Sequence, residues 1–118
     1  MSIEARELAI QALYEFDLRG EGPSSMPART ARLVEGVLIH QAELDETLDA
    51  VSRRWRVARM APVDRAVLQL ALYELRFEPE TPVGVIVSEA VRLAKKYSTE
   101  KSSAFVNGIL GRLSRTER

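Results

Sequence analysis

The sequence contains no cysteine and only one histidine, His40, among its 118 residues. The lack of cysteine excludes disulfides, cysteine metal sites and thiol catalysis, and it fits a reducing compartment such as the cytoplasm. His40 has no second histidine at metal-ligand spacing, so we interpret it as a surface or capping residue. Because the sequence also lacks a glycine-rich phosphate loop and a nucleophile motif, we predict a binding protein without metal or cofactor, not an enzyme.

Long apolar runs are also absent, since none approaches the ~20 residues that a membrane span requires. The first residues, MSIEAREL, are amphipathic and of mixed charge, which is unlike a signal peptide. Hydrophobic residues make up 46% and charged residues 29%, as is ordinary for a soluble globular chain. We therefore expect one soluble cytoplasmic domain over residues 1–118, without membrane contact.

Apolar residues recur at helical spacing, and no segment alternates with period two for long enough to predict a sheet. The breaks fall near Gly20–Pro23, at Pro62 and at Pro82. Ser24 or Ser25 is a candidate cap of the second helix with Pro27 in its first turn, and Pro82 is expected at a first helical position. Ala66–Leu75 is apolar on almost every side, which is typical of a central buried helix. The predicted fold class is all-α.

Residues 82–113 read as two amphipathic helices joined at Ser98-Thr99. The second contains Asn107-Gly108, a pair that usually marks a turn, and Gly costs a helix about 1 kcal/mol relative to Ala. The neighbouring apolar residues nevertheless keep helical spacing straight through this pair. Such a conflict tends to occur at functional or tightly packed sites. We expect Gly108 to permit close helix packing and Asn107 to order the turn before the last helix by hydrogen-bonding backbone.

The net charge of zero conceals an asymmetry along the chain. Residues 1–52 contain 4 arginines against 10 Asp and Glu, a balance of −6, whereas residues 53–118 contain 13 Lys and Arg against 7 Asp and Glu, a balance of +6. One interpretation is that the basic half forms a surface facing phosphates. The other is that the two halves pack so that their charges pair.

Four arginines, Arg53, Arg54, Arg56 and Arg59, surround the single tryptophan, Trp55. Arginines around an aromatic residue can contact phosphates and stack a base. The alternative, which we favour, is that Trp55 anchors the core while the arginines solvate the loop around it.

Three motifs together resemble the NusB family of transcription antitermination factors. The pattern EAVxLAKKY followed by S-x-x-FVNG covers Glu89 to Gly108, ARELAIQALYEFDL (Ala5 to Leu18) resembles the family's first helix, and PVDRAVLQLALYEL (Pro62 to Leu75) resembles its central helix. The three matches occur in the family's order and cover roughly half of the chain. The resemblance implies an all-helical domain made of two small helical bundles packed together.

The resemblance also implies function. It implies pairing with NusE, which is also a small-subunit ribosomal protein, and binding of single-stranded boxA RNA, so that RNA polymerase reads through termination signals in ribosomal RNA operons. The implied RNA contacts are Arg6, Gln11, Lys101, Ser102 and Phe105. The implied NusE contacts are Tyr14 and Asp64. Two of these residues have alternatives, because Phe105 can be a core residue and Asp64 can be a helix N-cap.

The chain departs from the family pattern in two places. The family's arginine-rich N-terminus corresponds to Ser2-Ile3-Glu4, so that only Arg6 remains, whereas the position of Lys101 is usually acidic. The first departure weakens phosphate binding and the second strengthens it. Two rival functions therefore stay open: a protein–protein adaptor or homodimer with little RNA affinity, and an RNA-binding partner module for a ribosomal RNA methyltransferase.

Overall fold

The computed structural model describes residues 3–53 and 55–118, which form six helices and, within those ranges, no strand. The helices are α1 (Ile3–Arg19), α2 (Ala28–Ile39), α3 (Gln41–Val51), α4 (Pro62–Phe77), α5 (Val83–Tyr97) and α6 (Glu100–Glu117), with a 3-10 turn at Val57–Arg59 before α4. The predicted all-α class is confirmed. None of the helices in the described ranges combines the length and hydrophobicity needed to cross a membrane.

The helix α4 lies at the centre of the molecule and contacts each of the other five helices. Eleven of its residues are buried, including the polar Gln69 and Glu74. The helices α4–α6 form one group, in which each helix contacts the other two. The helices α1–α3 form the other group: α2 contacts α1 and α3, and all three pack on α4. One hydrophobic cluster takes residues from all six helices. The predicted central helix and the arrangement of two packed bundles are therefore confirmed.

The helix boundaries follow the breakers, with shifts of one residue. Gly20 ends α1 with a positive φ of 78°, a conformation that glycine adopts without strain. Pro27 and Pro82 precede the first helical residues of α2 and α5, and Pro62 is the first residue of α4. The predictions that placed Pro27 and Pro82 inside their helices, and a serine as the cap of α2, were wrong. Proline supplies the extended backbone at both starts, with no side-chain cap.

The Asn107-Gly108 pair lies within α6, which runs through it without interruption. Both residues are exposed, and a Cβ added at Gly108 would meet nothing within 4 Å. The expectations that Gly108 permits close packing and that Asn107 orders the turn before the last helix were therefore wrong. Close packing occurs at Gly36 of α2, where a Cβ would overlap the ring of Tyr73 on α4.

Candidate nucleic-acid and partner interface

An open cleft of about 840 Å³ lies where the start of α4 meets the start of α6. This volume is within the ~300–1,000 Å³ of typical ligand sites. Four of the seven predicted site residues border the cleft, as do Trp55 and Arg59. Its lining consists of Trp55, Arg59, Met60, Ala61, Asp64, Lys101, Ser102, Ala104 and Phe105. We call it the α4–α6 cleft.

Asp64 and Ser102 join the two walls of the α4–α6 cleft. The Ser102 hydroxyl donates a hydrogen bond to Asp64 Oδ2 at 2.9 Å, across 38 positions of sequence. Its other neighbours are the hydroxyls of Ser98, at 2.8 Å, and Thr99, at 3.3 Å. Thr99 also accepts from the Ser102 backbone N–H, which makes it the N-cap of α6. This hydroxyl cluster fixes the first turn of α6 against α4.

The Asp64 carboxyl is buried, and its second oxygen, Oδ1, has no hydrogen-bond partner in the described part of the chain. Burial raises the pKa of Asp64, and the hydrogen bond from Ser102 offsets only part of that effect. The helix begins at Pro62 with Ala61 as the N-cap residue, so the alternative that Asp64 is the N-cap was wrong. The described residues therefore leave this carboxyl only partly satisfied, and its free oxygen is shielded from solvent.

Lys101 and Phe105 lie one turn apart on α6 and both border the α4–α6 cleft. Lys101 is exposed, and no ion pair engages it within the described residues. Phe105 is half-buried, since it packs against the core and also reaches the cleft. The two interpretations of Phe105, core residue and surface aromatic, therefore each describe part of its side chain.

Gln11 and Tyr14 of α1 lie at a different cleft, of about 710 Å³, which α1 forms with the loop before α2. Tyr14 is 38% exposed. Gln11 donates to the Tyr97 hydroxyl at 3.1 Å. Val63 borders this second cleft while its neighbour Asp64 borders the α4–α6 cleft, so the start of α4 separates the two. The structure thus brings the predicted residues of α4 and α6 together and holds those of α1 apart from them.

Arg6 is buried, with only 2% of its side chain exposed. Its guanidinium makes three hydrogen bonds to the carboxylate of Glu74 on α4, at 2.9 to 3.1 Å. In this arrangement Arg6 has no surface to offer to RNA, which corrects the predicted contact. The sequence contained a faint signal of this pairing, because Glu74 interrupts an otherwise apolar helix and a buried carboxylate requires a partner.

Trp55 is 49% exposed and does not anchor the core, so the interpretation that we favoured for it was wrong. The buried residues of this segment are Val57 and Met60, which bracket the 3-10 turn. Among the described arginines of the segment, Arg53, Arg56 and Arg59 are exposed. Arg54 and Ser2 lie outside the described residues.

The acidic and basic halves of the chain pair extensively. Glu7 of α1 forms ion pairs with Lys96 and Arg92 of α5, and hydrogen bonds from Lys96 and Tyr97 hold the pKa of Glu7 below its usual value. Asp17 accepts from Arg65 at 2.8 Å. These pairs cancel much of the asymmetry along the chain, which supports the second of the two interpretations. The α4–α6 cleft differs from this pattern, because Arg59 and Lys101 have no such pair in the described part of the chain.

His40 lies between α2 and α3, where its ring stacks on Phe77 at 4.2 Å between centroids and contacts the Glu43 carboxylate. In the described ranges no three His, Asp or Glu side chains are grouped so that they could hold a metal ion. The acidic residues of α3 have other contacts: Asp49 accepts from the Val57 N–H and Asp45 from Gln69.

Comparison with known proteins points to one family. The NusB family profile matches residues 3–115. Transcription antitermination protein NusB of Anaeromyxobacter dehalogenans (strain 2CP-1 / ATCC BAA-258) is 43% identical, with 92% of this chain and 87% of that protein covered. The protein of the same name from Geobacillus kaustophilus (strain HTA426) is 41% identical, with 93% of this chain and 92% of that protein covered.

Solved structures agree. T. maritima NusB superposes with a TM-score of 0.86 at 30% identity, covering 96% of this chain and 89% of that one. A crystal structure of antitermination factors NusB and NusE in complex with double-stranded RNA matches with a TM-score of 0.84 at 29% identity, covering 97% of this chain and 96% of that one.

Proposed function

Because this chain belongs to the NusB family of transcription antitermination factors, we propose that it pairs with NusE and binds single-stranded boxA RNA. In this proposal the complex acts with RNA polymerase in the cytoplasm and carries it past termination signals in ribosomal RNA operons. The solved structure of NusB and NusE with double-stranded RNA supports both kinds of partner for a chain of this fold.

One observation in this chain carries the proposal: the hydrogen bond between Ser102 and Asp64. Asp64 is a proposed NusE contact and Ser102 a proposed RNA contact, so the two proposed surfaces meet at this bond. A partner that contacts Asp64 lies beside the first turn of α6, which this bond already fixes on α4, so RNA at Lys101 and Phe105 lies next to both proteins. Coupling of this kind is reciprocal, since each partner strengthens binding of the other by the same factor.

Few exposed cations are available among the proposed RNA contacts, so we expect RNA binding to be weak without NusE. Arg6 is buried against Glu74, and Lys101 is the one exposed lysine among the proposed RNA contacts. Each phosphate contact contributes to affinity and to its salt dependence. With few contacts, the free protein has little to offset the cost of ordering an RNA strand.

The test is a titration of labelled boxA-like RNA with this protein, with and without NusE, at several salt concentrations. We expect NusE to tighten RNA binding roughly 5- to 150-fold, the range of an ordinary coupling free energy of ~1–3 kcal/mol. Tyr14→Ala should reduce the effect of NusE by weakening the NusE contact, because truncation of an interface hot spot costs about 2 kcal/mol or more. Ile39→Ala, at a side chain that is 77% exposed on the end of α2, is the matched control. RNA affinity that is the same with and without NusE at every salt concentration would contradict the proposal.

A second candidate is a protein–protein adaptor with little RNA affinity, and the burial of Arg6 favours it. It predicts that Tyr14→Ala weakens NusE binding while RNA binds weakly in every mixture. The same titrations therefore separate the two functions.

A further inference from the structure

The half-exposed indole of Trp55 has no role in the core or in the contacts described so far. Val57 and Met60 provide the buried side chains of its segment, with 4% and 5% exposure. The close ring pairs of the described residues involve His40, Tyr73 and Phe77, none of which borders the α4–α6 cleft. An exposed tryptophan held at the edge of a cleft is a candidate binding surface.

The backbone that carries Trp55 is held in place although the segment is not helical. The Ser52 hydroxyl donates to the Trp55 carbonyl at 2.6 Å and lies 3.3 Å from the Trp55 N–H. Asp49 accepts from the Val57 N–H at 2.7 Å. These contacts tie the backbone on both sides of Trp55 to the end of α3, so little backbone ordering is needed when a ligand binds.

Two aromatic residues and two cations border the same cleft. Trp55 and Arg59 belong to the segment before α4, and Lys101 and Phe105 belong to the first turns of α6. Arg59 and Lys101 are exposed, and neither forms an ion pair in the described part of the chain. Single-stranded nucleic acids are bound by this combination of aromatic side chains for bases and unpaired cations for phosphates.

We propose that Trp55 and Arg59 form a nucleotide-binding wall of the α4–α6 cleft, where Trp55 stacks an unpaired RNA base and Arg59 contacts the adjoining phosphate. The wall extends the RNA surface of Lys101, Ser102 and Phe105 across the cleft. This inference rests on the proposed function, because it requires that the chain binds RNA. Unpaired positive charge on both walls favours an RNA strand over an apolar protein segment as the occupant.

Trp55 is the only tryptophan in the sequence, so its fluorescence reports on this wall alone. Titration of the protein with single-stranded boxA-like RNA, with NusE present and its emission subtracted, should change the Trp55 emission. The change should saturate at the same RNA concentration as binding measured independently by anisotropy of labelled RNA. The RNA-dependent change is measured relative to the protein with NusE already bound, because Asp64, a proposed NusE contact, borders the same cleft as Trp55.

Substitutions test the two contacts separately. Trp55→Ala should weaken RNA binding roughly 5- to 150-fold, which corresponds to the ~1–3 kcal/mol of one stacked base at 1.4 kcal/mol per tenfold. Trp55→Phe should restore most of the affinity. Arg59→Ala should lower the slope of log affinity against log salt by about one unit. The matched control, Arg115→Ala, removes an exposed arginine near the far end of α6 and should leave binding by the wall unchanged.

The outcomes distinguish failure of this inference from failure of the proposed function. If the unmodified protein binds RNA but Trp55→Ala binds equally well and the emission does not respond, the wall is not part of the RNA site. If NusE alone changes the emission and RNA adds nothing further, the occupant is protein and the inference is overturned. If no RNA binds with NusE present, the proposed function fails and this inference fails with it. If Trp55→Ala unfolds at a much lower temperature than the unmodified protein, its RNA affinity is not interpreted. The RNA affinity of Trp55→Phe and the emission of the unmodified protein then test the wall.

Discussion

The central helix α4 carries a buried carboxylate near each of its ends, and the surroundings of the two differ. Glu74, near the C-terminal end, receives three hydrogen bonds from the guanidinium of Arg6. Asp64, near the N-terminal end, receives one hydrogen bond from a neutral hydroxyl and keeps an oxygen without a partner in the described residues. Glu74 lies in the closed core, whereas Asp64 borders an open cleft.

We interpret this difference as a division of roles between the two ends of α4, with stability at the Glu74 end and, under the proposed function, binding at the Asp64 end. A buried charge that is fully paired contributes to a defined packing, and removal of its partner is costly. A buried carboxyl with an oxygen that lacks a hydrogen-bond partner lowers stability, and such a group at a cleft is a candidate for a functional role. We therefore infer that the Arg6–Glu74 pair holds the two helical groups together and that the Asp64 end forms the interface.

The largest effect on stability is expected from removing the buried Arg6–Glu74 ion pair. Arg6→Ala or Glu74→Ala should lower the free energy of unfolding by about 3–5 kcal/mol, because each leaves an unpaired buried charge. The double substitution Arg6→Met with Glu74→Leu should recover most of that loss. Urea unfolding followed by circular dichroism measures both.

A surface ion pair supplies the control for this experiment. Arg32→Ala removes a pair with Glu78 in which the arginine side chain is 65% exposed, and it should cost less than about 1 kcal/mol. The structural role of the buried pair would be contradicted if Arg6→Ala cost no more than Arg32→Ala.

An intermediate effect on stability is expected from Asp64→Asn, at the end of α4 that borders the cleft. Burial raises the folded-state pKa of Asp64, so its contribution to stability is present below the unfolded pKa and is lost as pH rises through the folded pKa. Asparagine does not ionise and avoids this loss. Relative to the unmodified protein, the variant should therefore gain stability as pH rises from about 4 to 7, and the difference between the two should be independent of pH below about pH 4.

Urea unfolding from pH 3 to pH 7 tests this prediction, with Glu46→Gln on the exposed side of α3 as a control that should change stability little at any pH. The same Asp64→Asn protein should bind NusE more weakly, as expected where a functional residue is kept at a cost in stability. A variant that is less stable than the unmodified protein throughout this range would show that the Asp64 carboxylate is structural.

The smallest effect on stability is expected from Lys101→Ala, which removes an exposed cation of the α4–α6 cleft. Stability should stay within about 0.5 kcal/mol, while the salt dependence of RNA binding should fall by about one unit of slope. RNA titrations at several salt concentrations measure the slope. Arg19→Ala, at a side chain that is 72% exposed on the end of α1, is the control, and an equal change in both variants would mean that Lys101 makes no specific phosphate contact.

Sequence reasoning predicted the helices and the buried position of α4 because periodicity, proline and glycine act locally. The junction between the last two helices at Ser98-Thr99 was predicted for the same reason, and Thr99 is the N-cap of α6. Local reasoning was wrong at Gly108, where a sequence conflict suggested tight packing and the structure has open space. The tight positions are Gly22, against the ring of Phe16, and Gly36, which is tight only because Tyr73 of another helix lies against it.

The predictions for single side chains depended on whether each side chain is buried or exposed, which the sequence does not show directly. Lys101, Ser102, Phe105 and Asp64 do border one cleft, and their roles in RNA and NusE binding stay predictions. Arg6 was expected at the surface and is buried, whereas Trp55 was expected in the core and is half-exposed. Arg6 is buried because α1 packs on α4 next to Glu74, and Trp55 is exposed because Val57 and Met60 fill the core beneath its segment.

The sequence by itself therefore determined the all-helical class, the approximate ends of the helices and the family. These depend on the order of residues along the chain and on interactions within a few positions of each residue. Only the tertiary structure decided which charges are paired and which face solvent, because Arg6 meets Glu74 across 68 positions and Ser102 meets Asp64 across 38. Contacts over such distances arise from the packing of whole helices, and it is that packing which leaves Trp55, Arg59 and Lys101 at the surface of one cleft.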